Sequence, residues 1–268
     1  ALKHANTVYL HTHFDAERTL QALASGNISL FMHVPIAYFK LVDHNPQNSY
    51  DISKVRLCVS GSSFLPPAIW EAFKKRFGHE ILERYGSSET GLISSNTLLD
   101  RQQGNVGYVL PTVQVRVEQD GQLAMKSGGL FAGYYNNPEA TKANFTKDGF
   151  WLTGDIGEFS DDGRLKLVGR IQEKIKRFGY TLYPRDIEWA LMKHEQVHDM
   201  VAIGVQTPGA LNDELIYFVV TESTDAEIIA YSKANLPSFW RPDRIIHLQE
   251  IPKSKAGKPQ LVKLRAML

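Results

Sequence analysis

The alternation of apolar and polar positions changes character twice along the chain. Residues 15–25 place apolar side chains at helical spacing and stop at Gly26, while 66–77 open on proline and stop at Gly78; both are predicted helices. The short run 55–59 between them reads as a strand, and that order of elements predicts an α/β layer over residues 1–100. From about residue 104 to 168 the texture becomes short strands separated by Asp120-Gly121, Gly128-Gly129 and Asp162-Gly163. Such spacing predicts a hairpin-rich, β-barrel-like subdomain over 101–169. Past Arg170 come a strand-like stretch near 174–183, a helix over 184–194, strands near 198–205 and 214–220, and a helix near 225–235. These form a small α+β domain, 173–268, of ordinary size for a folding unit.

Composition narrows the partners. With 43% hydrophobic and 22% charged residues in 268, the chain can bury a sizeable core. Thirty basic against 29 acidic residues leave no global field for nucleic acid or an anionic membrane, so small molecules are the expected partners. The single Cys58 lies in an apolar run and reads as a buried structural thiol, which fits a reducing cytoplasm. The apolar run 215–220 is far shorter than a membrane span.

Three charged groups stand in glycine-bracketed turns: Asp155 in Thr153-Gly154-Asp155, Arg170 after Gly169, and Lys258 after Ala256-Gly257. A carboxylate with two acceptor oxygens suits the paired donors of a ribose diol, although a turn aspartate capping the next segment has the same local appearance. A guanidinium can bind ribose and phosphate oxygens together, but an isolated Gly-Arg pair also describes a surface turn. The lysine segment from Pro252 to Lys258 is small-residue and basic, as a solvated tail would be. Upstream lie Tyr85-Gly86-Ser87-Ser88-Glu89 and Ser60-Gly61-Ser62-Ser63, the latter a turn whose glycine permits close backbone approach or simply makes a loop.

In this order the segments resemble the adenylate-forming superfamily of acyl-CoA synthetases, peptide-synthetase adenylation domains and beetle luciferases, over almost all of the chain but only the second half of such an enzyme. The resemblance implies the end of a large α/β domain, a barrel-like subdomain, a hinge at 170–172 and a mobile cap. It implies an AMP-forming carboxylate:CoA ligase using ATP, magnesium and coenzyme A; loading of a carrier protein and a non-catalytic AMP- or partner-binding module are the alternatives. Asp155 then binds ribose, Arg170 ribose and phosphate, and Tyr85 packs on the base. Ser88 stands where the family has threonine and approaches the α-phosphate, and Glu89 holds magnesium. Gly61, Ser62 and Ser63 lie against adenine, and Glu83, Arg84, Gly86 and Ser87 complete the nucleotide site. Lys258 stabilises the charge that gathers as a carboxylate attacks the α-phosphorus. Rotation of the cap about Gln172, where the family has aspartate or lysine, brings Lys176 and Gly179 to the thiol tunnel for the second half-reaction.

For the acyl pocket the candidates are His33, for which a structural histidine is the alternative, and Arg84. Glutamate and arginine directly before the tyrosine are similar to malonyl-CoA synthetases, where an arginine could pair with a second carboxylate; a surface charge or an ion pair with Glu83 or Glu89 is the alternative. The family's phosphate-gripping loop matches no segment here, so the 268 residues are expected to be part of a longer protein and to adenylate poorly alone. His11 and His13 read as surface histidines, the cluster of Lys174, Lys176 and Arg177 as a solvated or CoA-phosphate-binding patch, and Tyr134-Tyr135 as barrel packing.

Overall fold

The computed structural model describes residues 7–44, 49–206, 208–254 and 257–268, so Ala256 of the lysine motif lies outside the described residues. The chain divides into two compact units, Ala1–Glu83 with Thr97–Gly104, and Arg84–Asn96 with Asn105–Leu268.

In the first unit Asp15 caps α1 (Ala16–Ala24) by accepting the Arg18 N–H at 2.8 Å. β1 (Leu30–His33), α2 (Pro35–Asp43), β2 (Leu57–Ser60) and α3 (Pro67–Phe77) follow, and α3 stops at Gly78, whose φ of 72° is left-handed. β1, β2 and the first residues of β3 (Ile81–Ser87) run parallel, with Leu30 opposite Leu57 and Cys58 opposite Ile81. Helices pack this layer through Leu20, Leu23, Tyr38, Leu41 and Phe73. Cys58 is buried as expected, and burial pushes its thiol up to about 12.

The second unit begins within β3, whose residues from Arg84 to Ser87 pair antiparallel with β4 (Gly91–Ser95), itself paired with β5 (Tyr108–Val109). Next come β6 (Val113–Val117), β7 (Gln122–Ser127), α4 (Pro138–Ala143), β8 (Trp151–Phe159) and β9 (Leu165–Arg170). The four strands form one antiparallel sheet in chain order, a curled half-barrel, over a core of Tyr85, Ile93, Leu123, Met125, Trp151 and Leu165.

The stretch 174–183 is a hairpin rather than one strand. β10 (Ile175–Arg177) and β11 (Tyr180–Leu182) pair about Phe178 (φ 50°) and Gly179 (φ 82°), two successive left-handed residues of the kind a primed two-residue turn requires. Then follow α5 (Pro184–Leu191), β12 (Val197–Val205), β13 (Glu214–Thr221), α6 (Asp225–Asn235), β14 (Arg244–His247) and α7 (Leu261–Arg265). β13 lies between β12 and β14. Alternate residues of β12 feed opposite cores: Met200 and Ala202 join Ile187, Leu191 and Ile228, whereas Val201 and Ile203 join Ile251 and Leu264. A sheet covered on both faces explains the unbroken apolar run in β13.

Candidate active site

The site in the second unit is built on neighbouring strands. Asp155 on β8 lies directly across from Arg170 on β9, where the ladder shifts register after Ile156. The turn before Asp155 is locked from several sides: Thr153 Oγ1 donates to Leu123 O at 3.0 Å, Gly154 N to Gln122 Oε1 at 3.0 Å, and Asp155 N to Thr153 Oγ1 at 3.1 Å. Gly154 adopts a φ of 76°, which disfavours any side chain there.

Both carboxylate oxygens of Asp155 are engaged. Arg170 Nε sits 3.0 Å from Oδ1, and the Tyr85 hydroxyl donates to Oδ2 at 2.6 Å. Burial raises the Asp155 pKa, and the Tyr85 hydrogen bond and then the fields of Arg170, Lys258 and Arg185 pull it back. Lys258, more than a hundred residues away in sequence, therefore stands within electrostatic reach of this aspartate. Of the three groups the sequence singled out, Arg170 contacts the carboxylate directly and Lys258 acts on it through its field. Arg170 is about half exposed and Asp155 only 13%, so the fork is open to a ligand while the carboxylate is sheltered.

Tyr85 occupies a different position from an open platform. Its ring belongs to the half-barrel core, 8% exposed, and burial raises its phenol pKa strongly, so it stays a proton donor to Asp155. Gly86 marks a shift in the β3 ladder; a Cβ there would meet Gly91 O at 2.1 Å, so only glycine allows the strands this approach. The next turn is closed by Ser87 N donating to Thr90 Oγ1 at 3.0 Å and Glu89 N to Ser87 Oγ at 3.2 Å, leaving Ser88 exposed. Ser87 chiefly, with help from the Tyr134 hydroxyl 3.0 Å from Oε1, holds the Glu89 carboxyl below its ordinary range. Tyr134 also packs edge-on against Phe131 and Trp151, but Tyr135 is 93% exposed, so the reading of both tyrosines as packing holds for Tyr134 alone.

Past Arg170, Gln172 is exposed in a 3-10 turn, Ile171–Glu173, between two extended residues. Lys176 and Gly179 are exposed on the β10–β11 hairpin, which is braced by Asp213 accepting Lys176 N at 2.7 Å and Asn212 accepting Phe178 N at 2.5 Å. Arg177 overturns the patch reading: it is 5% exposed, donating to Arg241 O at 2.8 Å and to Asp243 Oδ1 at 2.9 Å. Strand alternation turned it inward while Lys176 turned out.

In the first unit Gly61, Ser62 and Ser63 form a turn after β2, with Ser62 left-handed at φ 72° and both serines exposed. His33 ends β1, accepts Val34 N–H on Nδ1 at 2.9 Å and packs edge-on against Phe14, and burial lowers its pKa. Glu83 is buried and accepts Gly104 N–H at 3.3 Å, anchoring a loop.

The profile of the AMP-binding enzyme family matches residues 1–135, and that of the AMP-binding enzyme C-terminal domain matches 186–258. The chain belongs to the AMP-binding enzyme family. Among curated relatives of the chain, a malonate–CoA ligase of Arabidopsis thaliana is 31% identical, over 91% of this chain and 45% of that protein. A long-chain-fatty-acid–CoA ligase of Bacillus subtilis is 30% identical, over 91% of this chain and 46% of that protein. The crystal structure of ATP-bound MatB from Rhodopseudomonas palustris superposes with a TM-score of 0.86 at 30% identity, covering 95% of this chain and 53% of that one. The chain thus spans about half the length of the relatives it matches.

Among the described residues of this family member no helix is long and apolar enough to cross a membrane, and no group of three or more acidic, histidine or cysteine side chains forms a metal cage. A lone carboxylate kept ionised, as Glu89 is, fits magnesium, which retains waters and takes further oxygens from substrate phosphates. Sequence reasoning missed Arg185, which reaches Asp155 electrostatically from the first turn of α5, and the Tyr85 to Asp155 bond. The arginine's neighbours Pro184 and Asp186 were visible; its direction was not.

Proposed function

We propose that the protein carrying this chain is an AMP-forming carboxylate:CoA ligase. The observation that carries the reading is the Asp155–Arg170 pair, with the field of Lys258 falling on the same carboxylate, in a chain of the AMP-binding enzyme family. Asp155 would accept the ribose hydroxyls, its orientation fixed beforehand by Tyr85 and Arg170 so that little reorganisation accompanies binding. Arg170 would reach onward to ribose and phosphate oxygens with the part of its fork that Asp155 leaves open. Lys258 would offset negative charge where the substrate carboxylate attacks the α-phosphorus, a bond forming there as pyrophosphate leaves. Glu89 would hold magnesium, which neutralises phosphate charge when bound.

A carboxylate is a poor acyl donor until it gains a leaving group, and AMP is that group in the mixed anhydride. A thiolate then attacks the acyl carbon and releases AMP. We assign the acceptor side to the β10–β11 hairpin, with Lys176 and Gly179 exposed on it, and the pivot to Gln172 in its exposed 3-10 turn. The single buried, unpaired thiol of Cys58 suits a reducing compartment such as the cytoplasm.

For the acid, we favour a small dicarboxylate. The malonate–CoA ligase relative and Arg84, half-buried on β3 opposite Ser95, support this reading. Hydroxamate trapping with the complete protein, offering malonate, acetate and octanoate, tests both levels. Malonate is expected to give the most product; octanoate turnover equal to it would overturn the substrate, and no hydroxamate from any acid in a broad panel would overturn the ligase.

A further inference from the structure

Among the described residues of the lysine segment, Lys253 also places its ammonium in a defined pair. Lys253 Nζ lies 2.5 Å from Asp199 Oδ2 on β12, with both side chains 27% exposed. This lysine is the foot of the loop that ends in Lys258. Its backbone bridges antiparallel to Pro259, Ser254 N donates to Lys258 O at 2.8 Å, and Gln260 N donates to Pro252 O at 2.8 Å. Lys258 N donates to Ser254 Oγ at 3.2 Å, and Gln260 Nε2 donates to Lys253 O at 3.1 Å. On either side the chain is held by Ile251, 4% exposed, and Leu264, fully buried, in the core shared with Val201 and Ile203 of β12. Asp199 thus projects from the same strand whose neighbours anchor both ends of the loop.

We infer that Lys253 and Asp199 are a positioning pair that seats the loop so that Lys258 faces the Asp155 group. The inference rests on the adenylating role proposed for Lys258. Two apolar anchors fix where the loop leaves and rejoins the core but leave its rotation about the line joining them open; a salt bridge at its foot removes that freedom. The ammonium of Lys253 also offsets local negative charge, because the fields of Glu173 and then Asp199 both act against ionisation of Glu188. Asp199 holds the ammonium of Lys253, while the field of Lys258 falls on Asp155. Misplacing a reacting group by about 1 Å can cost about 10²-fold in rate, so a loop seated wrongly should be felt in one half-reaction only.

The test uses Asp199→Asn, Lys253→Met and Lys253→Arg in the complete protein. Pyrophosphate exchange is expected to fall about 10- to 100-fold in the first two, to recover in the arginine variant, and thioester formation from a preformed acyl-adenylate to change less than about twofold in all three. Equal losses in both half-reactions would reduce the pair to general stability and overturn the inference, as would unchanged pyrophosphate exchange. Hydrogen exchange of the Ser254, Gly257, Lys258 and Gln260 amides supplies a readout independent of activity. These amides should exchange at least about tenfold faster without the bridge, and unchanged protection would also overturn the seating role. Should the parent protein adenylate no acid at all, the function proposed for Lys258 fails, while amide exchange still decides whether the pair seats the loop. Lys253→Met, altering a loop residue, serves if Asp199→Asn does not fold.

Discussion

Glu188 offers a test that needs no substrate. It sits on α5, mostly enclosed, and its Oε1 accepts the Ala202 N–H at 2.9 Å. Burial pushes its carboxyl up to about 7 from 4.5; the Ala202 bond opposes this, the fields of Glu173 and Asp199 add to it, and Arg185 relieves it slightly. The sign follows directly. A folded-state pKa above the unfolded value means the folded chain holds the proton more tightly, so stability is highest below about 4.5, declines as pH rises through the window from 4.5 to 7, and carries the full penalty above it. A difference of 2.5 in pKa corresponds to about 3 kcal/mol at 1.36 kcal/mol each, a ceiling because Glu188 retains some solvent contact. Glu188→Gln keeps the acceptor for Ala202 and cannot ionise. Urea denaturation followed by tryptophan fluorescence, with Trp189 adjacent, should find the two proteins equal near pH 4.5 and the glutamine variant more stable by roughly 2–3 kcal/mol at pH 8. A stability difference that does not vary with pH would refute the reasoning, as would a glutamine variant weaker at pH 8.

Lys258→Ala in the complete protein should cut adenylation by about 10²- to 10³-fold, measured by pyrophosphate exchange, with thioester formation from a preformed acyl-adenylate largely retained. Tyr85→Phe should cost about 1–3 kcal/mol in unfolding free energy by removing the donor to a sheltered carboxylate, and a carbon-detected NMR titration should find the Asp155 pKa raised further. Gly86→Ala should be poorly tolerated, because the new methyl group would meet backbone at Gly91 rather than a side chain that can swing away; a fall in Tm of several degrees measures it.

Much of the architecture was legible from local chemistry. Gly26 and Gly78 end their helices where the pattern stopped, and α6 occupies the residues that its spacing and its Thr224 and Glu227 capping box define. The short α4 was missed because its capping by Asn137 lies inside a stretch read as hairpins. At the site, the motifs located Asp155, Arg170 and Lys258, but what each side chain touches depended on pairings across the fold. Tyr85 reads as a flat aromatic surface until β8 brings a carboxylate to its hydroxyl 70 residues on. Arg177 reads as one cation of three until the alternation of β10 turns it toward Asp243. Glu83, next to Arg84 in sequence, accepts a loop amide from Gly104.

The tip of the β10–β11 hairpin has a practical corollary for anyone who wishes to toughen this protein. A phenyl-bearing residue occupies a left-handed backbone position that asparagine or glycine adopts at lower cost, and the ring is 59% exposed, with the Arg177 guanidinium 5.3 Å from its centroid. Exchanging Phe178 for asparagine should therefore relieve backbone strain and raise Tm, and whether the proposed thioester formation then slows will reveal if the ring serves that step or is merely tolerated.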